Sequence, residues 1–166
     1  QKKYDIIYVA SDNPHNRNGI KWFLEKVFPL LDRGIKICII GKITNSIADY
    51  PNVEKFSFVD DLNQYYSNSK LAICPMFTGT GLKIKVVEAM SFGIPVVCNE
   101  RGIDGLYNKT NNGSLVTNNP EKFTHFIHKL IIDKVYYNEI SNQSKKYFKE
   151  NHHIDVVHDK LDSIFN

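Results

Sequence analysis

The chain has 166 residues, 42% of them apolar, aromatic or Cys and 23% charged, with 10 Phe and 9 Tyr. That length and composition fit one domain that buries a core without disulfides or metals, and they exclude an intrinsically disordered chain. The net charge of +3 is too small to imply a nucleic-acid partner, and no apolar run is long enough to span a bilayer as a helix.

The first element is an apolar run, Tyr4 to Ala10, whose near-continuous hydrophobicity predicts a parallel strand buried on both faces. Ser11 to Asn18 reads as a polar loop containing Pro14. From Asn18, the spacing of Ile20, Phe23, Leu24, Val27 and Leu31 predicts a helix that stops at Asp32-Arg33-Gly34. Ile35–Ile40 is the second strand. Gly41 to Asn52 is irregular or one short helical turn. Val53–Val59 is the third strand, and Asp60 or Asp61 caps a short helix through Asn68. Leu71–Cys74 is the fourth strand, stopped by Pro75, and Thr78-Gly79-Thr80-Gly81 is a turn. A helix from Leu82 to Phe92 ends at Gly93. Ile94–Cys98 is the fifth strand, Asn99 to Asn112 a loop, and Leu115–Thr117 a short sixth strand. Pro120 opens a helix to Ile132. Val135 to Phe165 reads as two polar amphipathic helices that break near Asn151-His152.

Six short strands separated by helices predict an α/β fold: a Rossmann-like, doubly wound parallel sheet with helices on both faces. Ligands of such sheets bind at the carboxyl ends of the strands. With no internal repeat or linker, residues 1–166 are expected to form a single domain. The N-terminus has no Met and no signal-like hydrophobic region, so an excised domain is expected. Cys38, Cys74 and Cys98 each lie in an apolar run without CxxC spacing. They are expected to be buried, reduced thiols, which favours a cytoplasmic setting. The three Asn-x-Ser/Thr sequons at Asn108, Asn112 and Asn142 are attributed to chance in an Asn-rich chain.

The stretch from Gly79 to Val97 carries the chemistry. Two glycines ahead of a helix let backbone N–H groups approach a ligand, and the helix N-terminus favours an anion. Lys83 and Lys85 in the first turn oppose the helix dipole at about 0.3–1 kcal/mol each, a cost that a bound phosphate offsets. Glu88, on the same flank as Lys85, repels phosphate but accepts hydrogen bonds from sugar hydroxyls. Cradle, lysine and carboxylate together form a nucleotide-sugar constellation. The alternative is an exposed Lys85–Glu88 ion pair of little energetic weight. GxGxxG fails because position 84 is Ile84, and no P-loop sequence occurs.

This stretch resembles the signature of retaining GT-B glycosyltransferases of the group 1, or family 4, type: G-x-G-hydrophobic-K-x-K-x-x-E-A-M-x-x-G-x-P-V-V. Other segments match in order. They are Asn16, Gly19, Ile20, Trp22, Phe23 and Pro29; Phe58-Val59-Asp60-Asp61-Leu62 with Tyr65-Tyr66; Gly102 to Leu106; and Gly113 to Glu121. The resemblance covers almost the entire chain and implies the C-terminal, donor-binding domain of a two-domain enzyme whose acceptor-binding domain is absent from this chain.

The resemblance implies that Glu88 binds the nucleotide ribose, that Lys85 and Lys83 face the diphosphate, and that Gly79, Thr80 and Gly81 surround sugar and diphosphate. It places the base near Val59 and Leu62, with Arg17 the nearest candidate for a further diphosphate contact. Many relatives carry Glu-x7-Glu, and Thr80 replaces the first Glu here, which puts the sugar in question. The implied reaction is transfer from a UDP- or GDP-sugar with retention, without metal or other cofactor, in polysaccharide biosynthesis. Implied partners are the missing N-terminal domain and, for the whole enzyme, a peripheral membrane surface at its cytoplasmic side; no nucleic acid is implied. The fragment alone is expected to be inactive. Two alternatives stay open: an epimerase or phosphorylase on the same plan, and a non-catalytic phospho-ligand module.

The remaining candidates read as structural. His125 and His128 sit three apart on a helix without a third ligand, so no metal site is expected. His152, His153 and His158 read as surface, Trp22 and Phe23 as core, and Lys145-Lys146-Tyr147-Phe148-Lys149 as a solvated amphipathic face.

Overall fold

The structure, a computed structural model, describes residues 1–152. Within them six strands form one all-parallel sheet: β1 (Tyr4–Val9), β2 (Ile37–Ile40), β3 (Val53–Phe56), β4 (Ser69–Cys74), β5 (Val96–Cys98) and β6 (Ser114–Val116). Their spatial order is β3-β2-β1-β4-β5-β6, the doubly wound order expected from the alternation of apolar runs and helices. The helices are α1 (Pro14–Trp22), α2 (Leu62–Ser67), α3 (Ile84–Ser91), α4 (Pro120–Ile132) and α5 (Lys134–Asn151).

Successive strand side chains point to opposite faces, so the sheet separates two apolar layers. One gathers Ile7, Val9, Ile40 and Cys74 under Val86, Val87 and Met90 of α3 and Tyr66 of α2. The other gathers Ile6, Tyr8, Ile39, Leu71 and Ile73 under Ile20 of α1, Phe23 and Val27 beyond it, and Phe123, Ile127 and Leu130 of α4. Helix α5 contributes Tyr147 to the first layer and Ile140 to the second. The three cysteines are buried and free, as expected.

The element boundaries depart from the sequence reading in instructive places. Ser11 to Asn18 is not all loop: α1 begins at Pro14, with the Asn13 side chain accepting from Asn16 N at 2.9 Å. After Trp22 the chain widens into a π turn over Phe23–Val27 and tightens into a 3-10 turn over Phe28–Leu30, ending before Asp32. β3 stops at Phe56, not Val59. Its last ladder bond, Gly41 N to Phe56 O at 2.9 Å, is where β2 itself has ended. β2 begins at Ile37 because the N–H of Ile35 turns back to Asp32 O. β5 begins at Val96 because the N–H of Ile94 still caps α3 through Ala89 O. α3 spans Ile84–Ser91, shorter than Leu82 to Phe92. α4 has the expected bounds, and α5 ends at Asn151, near the expected break. The second C-terminal helix expected from sequence, with His153 and His158, lies outside the described residues.

Candidate functional site

In this strand order the chain reverses direction between β1 and β4, and a crevice opens above their carboxyl ends. Its two walls are the loop from β1 into α1 and the loop from β4 into α3. Asn13 caps α1 and Pro14 occupies its first turn, where a missing N–H costs nothing. Gly19 then lets α1 press on the exit of β4: a Cβ there would lie 1.7 Å from Pro75 O. Across the mouth, His15 Nδ1 and Thr78 Oγ1 are 2.7 Å apart. Gly79 passes beneath the imidazole with φ +88°, and a Cβ on it would meet His15 Cγ at 3.3 Å. The resulting cleft holds about 560 Å³, and its lining includes Ser11, His15, Asn16, Gly79, Thr80, Lys83 and Lys85.

The N-terminus of α3 faces this cleft with no side-chain cap. The sequence places Lys83 in the first turn, and the structure puts it just before that turn. It is the N-cap residue, with extended backbone, and its Nζ donates to Gly81 O at 2.9 Å. Lys85 is in the first turn and reaches across the crevice to Asn16 Oδ1 at 3.1 Å. Asn16 is buried and donates in turn to Ser11 O at 2.9 Å. Burial lowers the Lys85 pKa, and the nearby Lys83 charge lowers it further. Two ammonium groups and uncapped backbone N–H groups converge on one space without a carboxylate in its lining. Such an arrangement attracts an anion with several oxygens.

One turn further, Glu88 is completely buried and neither carboxylate oxygen has a hydrogen-bond partner among the described residues. Burial raises its pKa to about 7. Burial first, and the Glu88 charge second, push the neighbouring Tyr66 hydroxyl well above its usual range. The surface ion pair with Lys85 considered from sequence does not form: Lys85 bonds Asn16, and the Glu88 carboxylate bonds nothing among the described residues.

The other sequence candidates divide. Gly79, Thr80 and Lys83 line the cleft, and Gly81 sits in the same turn. Arg17 is exposed, pairs with Asp12 at 2.8 Å and is outside the cleft lining. Val59 is buried in the α3-side apolar layer and Leu62 packs against it; neither lines the cleft. His15, Asn16 and Ser11 were absent from the expected site because Pro14 reads as a loop breaker. Asn13-Pro14 repeats the cap-plus-proline pattern of Asn119-Pro120, and that signal reveals the helix start.

The residues read as structural divide as well: His152, expected at the surface, is half-buried with its ring against Tyr107, Tyr147 and Phe148. Trp22 packs edge-on against Phe77 and Phe123, and Phe23 is fully buried. His128 Nε2 accepts from Asp32 N at 3.2 Å, and no cluster of three or more metal-ligating side chains occurs among the described residues. Tyr147 is buried while Lys145, Lys146 and Lys149 are exposed. No helix among the described residues is long and apolar enough to cross a membrane.

The family model for group 1 glycosyl transferases matches residues 3–133. The chain belongs to this family. A 44.6 kDa protein of the cps region of Klebsiella pneumoniae is 31% identical over 124 residues, which cover 65% of this chain and 31% of that protein. Among solved structures, HepE from Anabaena in complex with UDP-glucose superposes with a TM-score of 0.72 at 13% identity, covering 97% of this chain and 48% of HepE. WaaG, a glycosyltransferase of lipopolysaccharide biosynthesis, gives 0.70 at 14% identity, with 99% and 48% covered. The C-terminal domain of LpcC, a group 1 glycosyl transferase from Francisella tularensis, gives 0.64 at 16% identity, with 92% and 88% covered. These likenesses fix the fold as the GT-B Rossmann-like one. The chain spans about half of HepE and WaaG but most of the isolated LpcC domain.

Proposed function

We propose that this chain is the donor-binding half of a glycosyltransferase that uses a UDP- or GDP-sugar. The observation that carries this reading is Glu88: a fully buried carboxylate without a partner among the described residues, one turn behind an uncapped helix start flanked by Lys83 and Lys85. An apolar residue there would be more stable. A ligand with a polyanion at the helix start and hydroxyls behind it gives both features a purpose, and a nucleoside diphosphate is such a ligand.

In this reading the ribose hydroxyls donate to Glu88, and the diphosphate takes Lys85 from Asn16 and accepts from the first N–H groups of α3. Lys83 adds positive charge, and Gly79, Thr80 and Gly81 let the sugar approach the backbone. As the bond from the donor carbon to the diphosphate breaks, its electrons pass to a phosphate oxygen. Lys85 and the helix terminus hold that charge, the role a metal plays elsewhere. The acceptor hydroxyl oxygen bonds the donor carbon with retention of configuration, and its proton passes to the departing diphosphate oxygen. Most of the acceptor side belongs to a second domain, about half of the enzyme, and peripheral membrane association belongs to the whole protein. Support comes from family membership, from the coverage of about half of HepE and WaaG, and from UDP-glucose in the HepE complex.

Heat denaturation tests the reading. A nucleoside diphosphate at about 100 times its Kd adds about 2.7 kcal/mol, a rise of roughly 5–10 °C for a domain of this size. The expected result is such a rise with UDP or GDP, lost in Lys85→Ala. Unmoved melting curves with both nucleotides at millimolar levels would remove the basis of the proposal.

A further inference from the structure

A second, smaller cavity of about 280 Å³ opens beside the donor cleft, at the carboxyl ends of β4, β5 and β6. Met76 lines both, so the two spaces share a wall. The floor is fixed by Asn99, which is fully buried. It accepts from Met76 N at 2.8 Å and donates to Thr117 O at 3.0 Å, tying the three strand ends together. Above that floor stand Phe77, Glu100, Arg101, Asp104 and Asn118. Trp22 holds the Phe77 ring edge-on at 4.9 Å.

The polar groups of this cavity have capacity to spare. The Glu100 carboxylate has no hydrogen-bond partner among the described residues. Among the same residues Asp104 meets only Arg101, through Oδ2 at 3.3 Å, and Asn118 spends its Oδ1 on Glu100 N at 3.1 Å and its amide donors on none of them. Acceptors on Glu100 and Asp104 thus alternate with donors on Arg101 and Asn118, beside an apolar surface on Phe77 and Met76. Vicinal hydroxyls, each able to donate and accept, match such an alternation, and the C–H face of a sugar ring matches the apolar side. Two carboxylates against one guanidinium leave a net negative charge, which disfavours phosphate and nucleotide. The volume lies just below the roughly 300–1,000 Å³ of drug-sized sites, so it suits one ring.

We infer that this cavity binds one neutral sugar ring of the acceptor saccharide, beside the donor cleft. The inference rests on the reading of that cleft as the donor site, and the test separates the two. Methyl glycosides of glucose, galactose and mannose are titrated into the 166-residue chain, with and without saturating UDP or GDP, and followed by amide chemical shifts. At least one glycoside should shift Glu100, Arg101, Asp104 and Asn118 at millimolar concentration, with nucleotide present as well as without it. Glu100→Gln and Asn118→Ala, both at exposed positions, should weaken that glycoside about 10-fold while leaving nucleotide affinity unchanged. Absence of shifts at these residues with all three glycosides overturns the inference, even if nucleotide binds normally. Displacement of the glycoside by UDP-glucose or another nucleotide sugar, but not by UDP or GDP, overturns it too, because the cavity would then hold the donor's own sugar. Failure of nucleotide to bind counts against the donor reading alone and is read in the separate arm.

Discussion

Lys85 and Glu88 lie three residues apart on α3 but do not meet: the ammonium bonds Asn16 Oδ1 at 3.1 Å across the crevice, and the carboxylate is buried without a partner among the described residues. A surface ion pair would have been worth under about 1 kcal/mol and would have needed no further account. A separated pair keeps a cation at the mouth and an acceptor behind it, which is the polarity a nucleoside diphosphate presents in reverse.

The unpaired Glu88 makes stability depend on pH. Its folded pKa of about 7 stands above the ordinary 4.5, so the folded state keeps a proton that the unfolded state releases. This contribution is fully present below about pH 4.5 and is lost as pH rises through 7. The shift corresponds to about 3 kcal/mol by pH 8. Urea denaturation from pH 5 to 8 should show stability falling, and Glu88→Gln should flatten that fall while weakening nucleotide binding. An equal slope in both proteins would show that another group titrates.

Lys85 should separate stability from binding. Its charge is disfavoured by burial, so Lys85→Met is expected to change the stability of the free chain by less than about 1 kcal/mol, or to raise it. Nucleoside diphosphate affinity should fall at least about 10-fold, the loss of one charge-assisted hydrogen bond. Isothermal titration beside chemical denaturation reads both quantities, and equal losses in the two would mark a merely structural lysine.

Arg17 provides the contrasting case. It is exposed, committed to Asp12 and outside the cleft lining. Arg17→Ala should leave both nucleotide affinity and stability almost unchanged, within about 2-fold and 0.5 kcal/mol. A loss as large as that of Lys85 would mean that the guanidinium swings into the cleft when ligand arrives.

Gly19 should tolerate nothing larger. Even Ala places a Cβ within 1.7 Å of the Pro75 carbonyl, and both groups are backbone, so one wall must move. Gly19→Ala is expected to cost about 3 kcal/mol or more, roughly 6–12 °C in Tm, and to weaken nucleotide binding by displacing α1. Unchanged melting would show that the helix slides freely.

Much of the fold was legible from local pattern. Continuous apolar runs marked strands buried on both faces, and Pro120 and the Asp60-Asp61 pair marked helix starts, the structure choosing Asp61 as the cap. Errors gathered at strand ends, because a strand ends where its neighbour stops offering hydrogen bonds. Val59 is apolar and buried, yet lies beyond the last bond between Gly41 and Phe56. The candidate site was legible where one contiguous motif carries it, at Gly79 to Glu88. Its other wall was missed because His15 and Asn16 carry no chemistry until α1 is placed against β4.

By itself the sequence determined the strand-helix alternation, the family and the identity of the cations, since each resides in residues close along the chain. Only the tertiary structure decided what those residues touch. Lys85 and Asn16 are 69 positions apart, and their contact depends on β1 lying beside β4 and on Gly19 letting α1 close against Pro75. The isolation of Glu88 is equally non-local: burial between α3 and the sheet removes its water, and no local pattern records which groups the fold leaves without a partner.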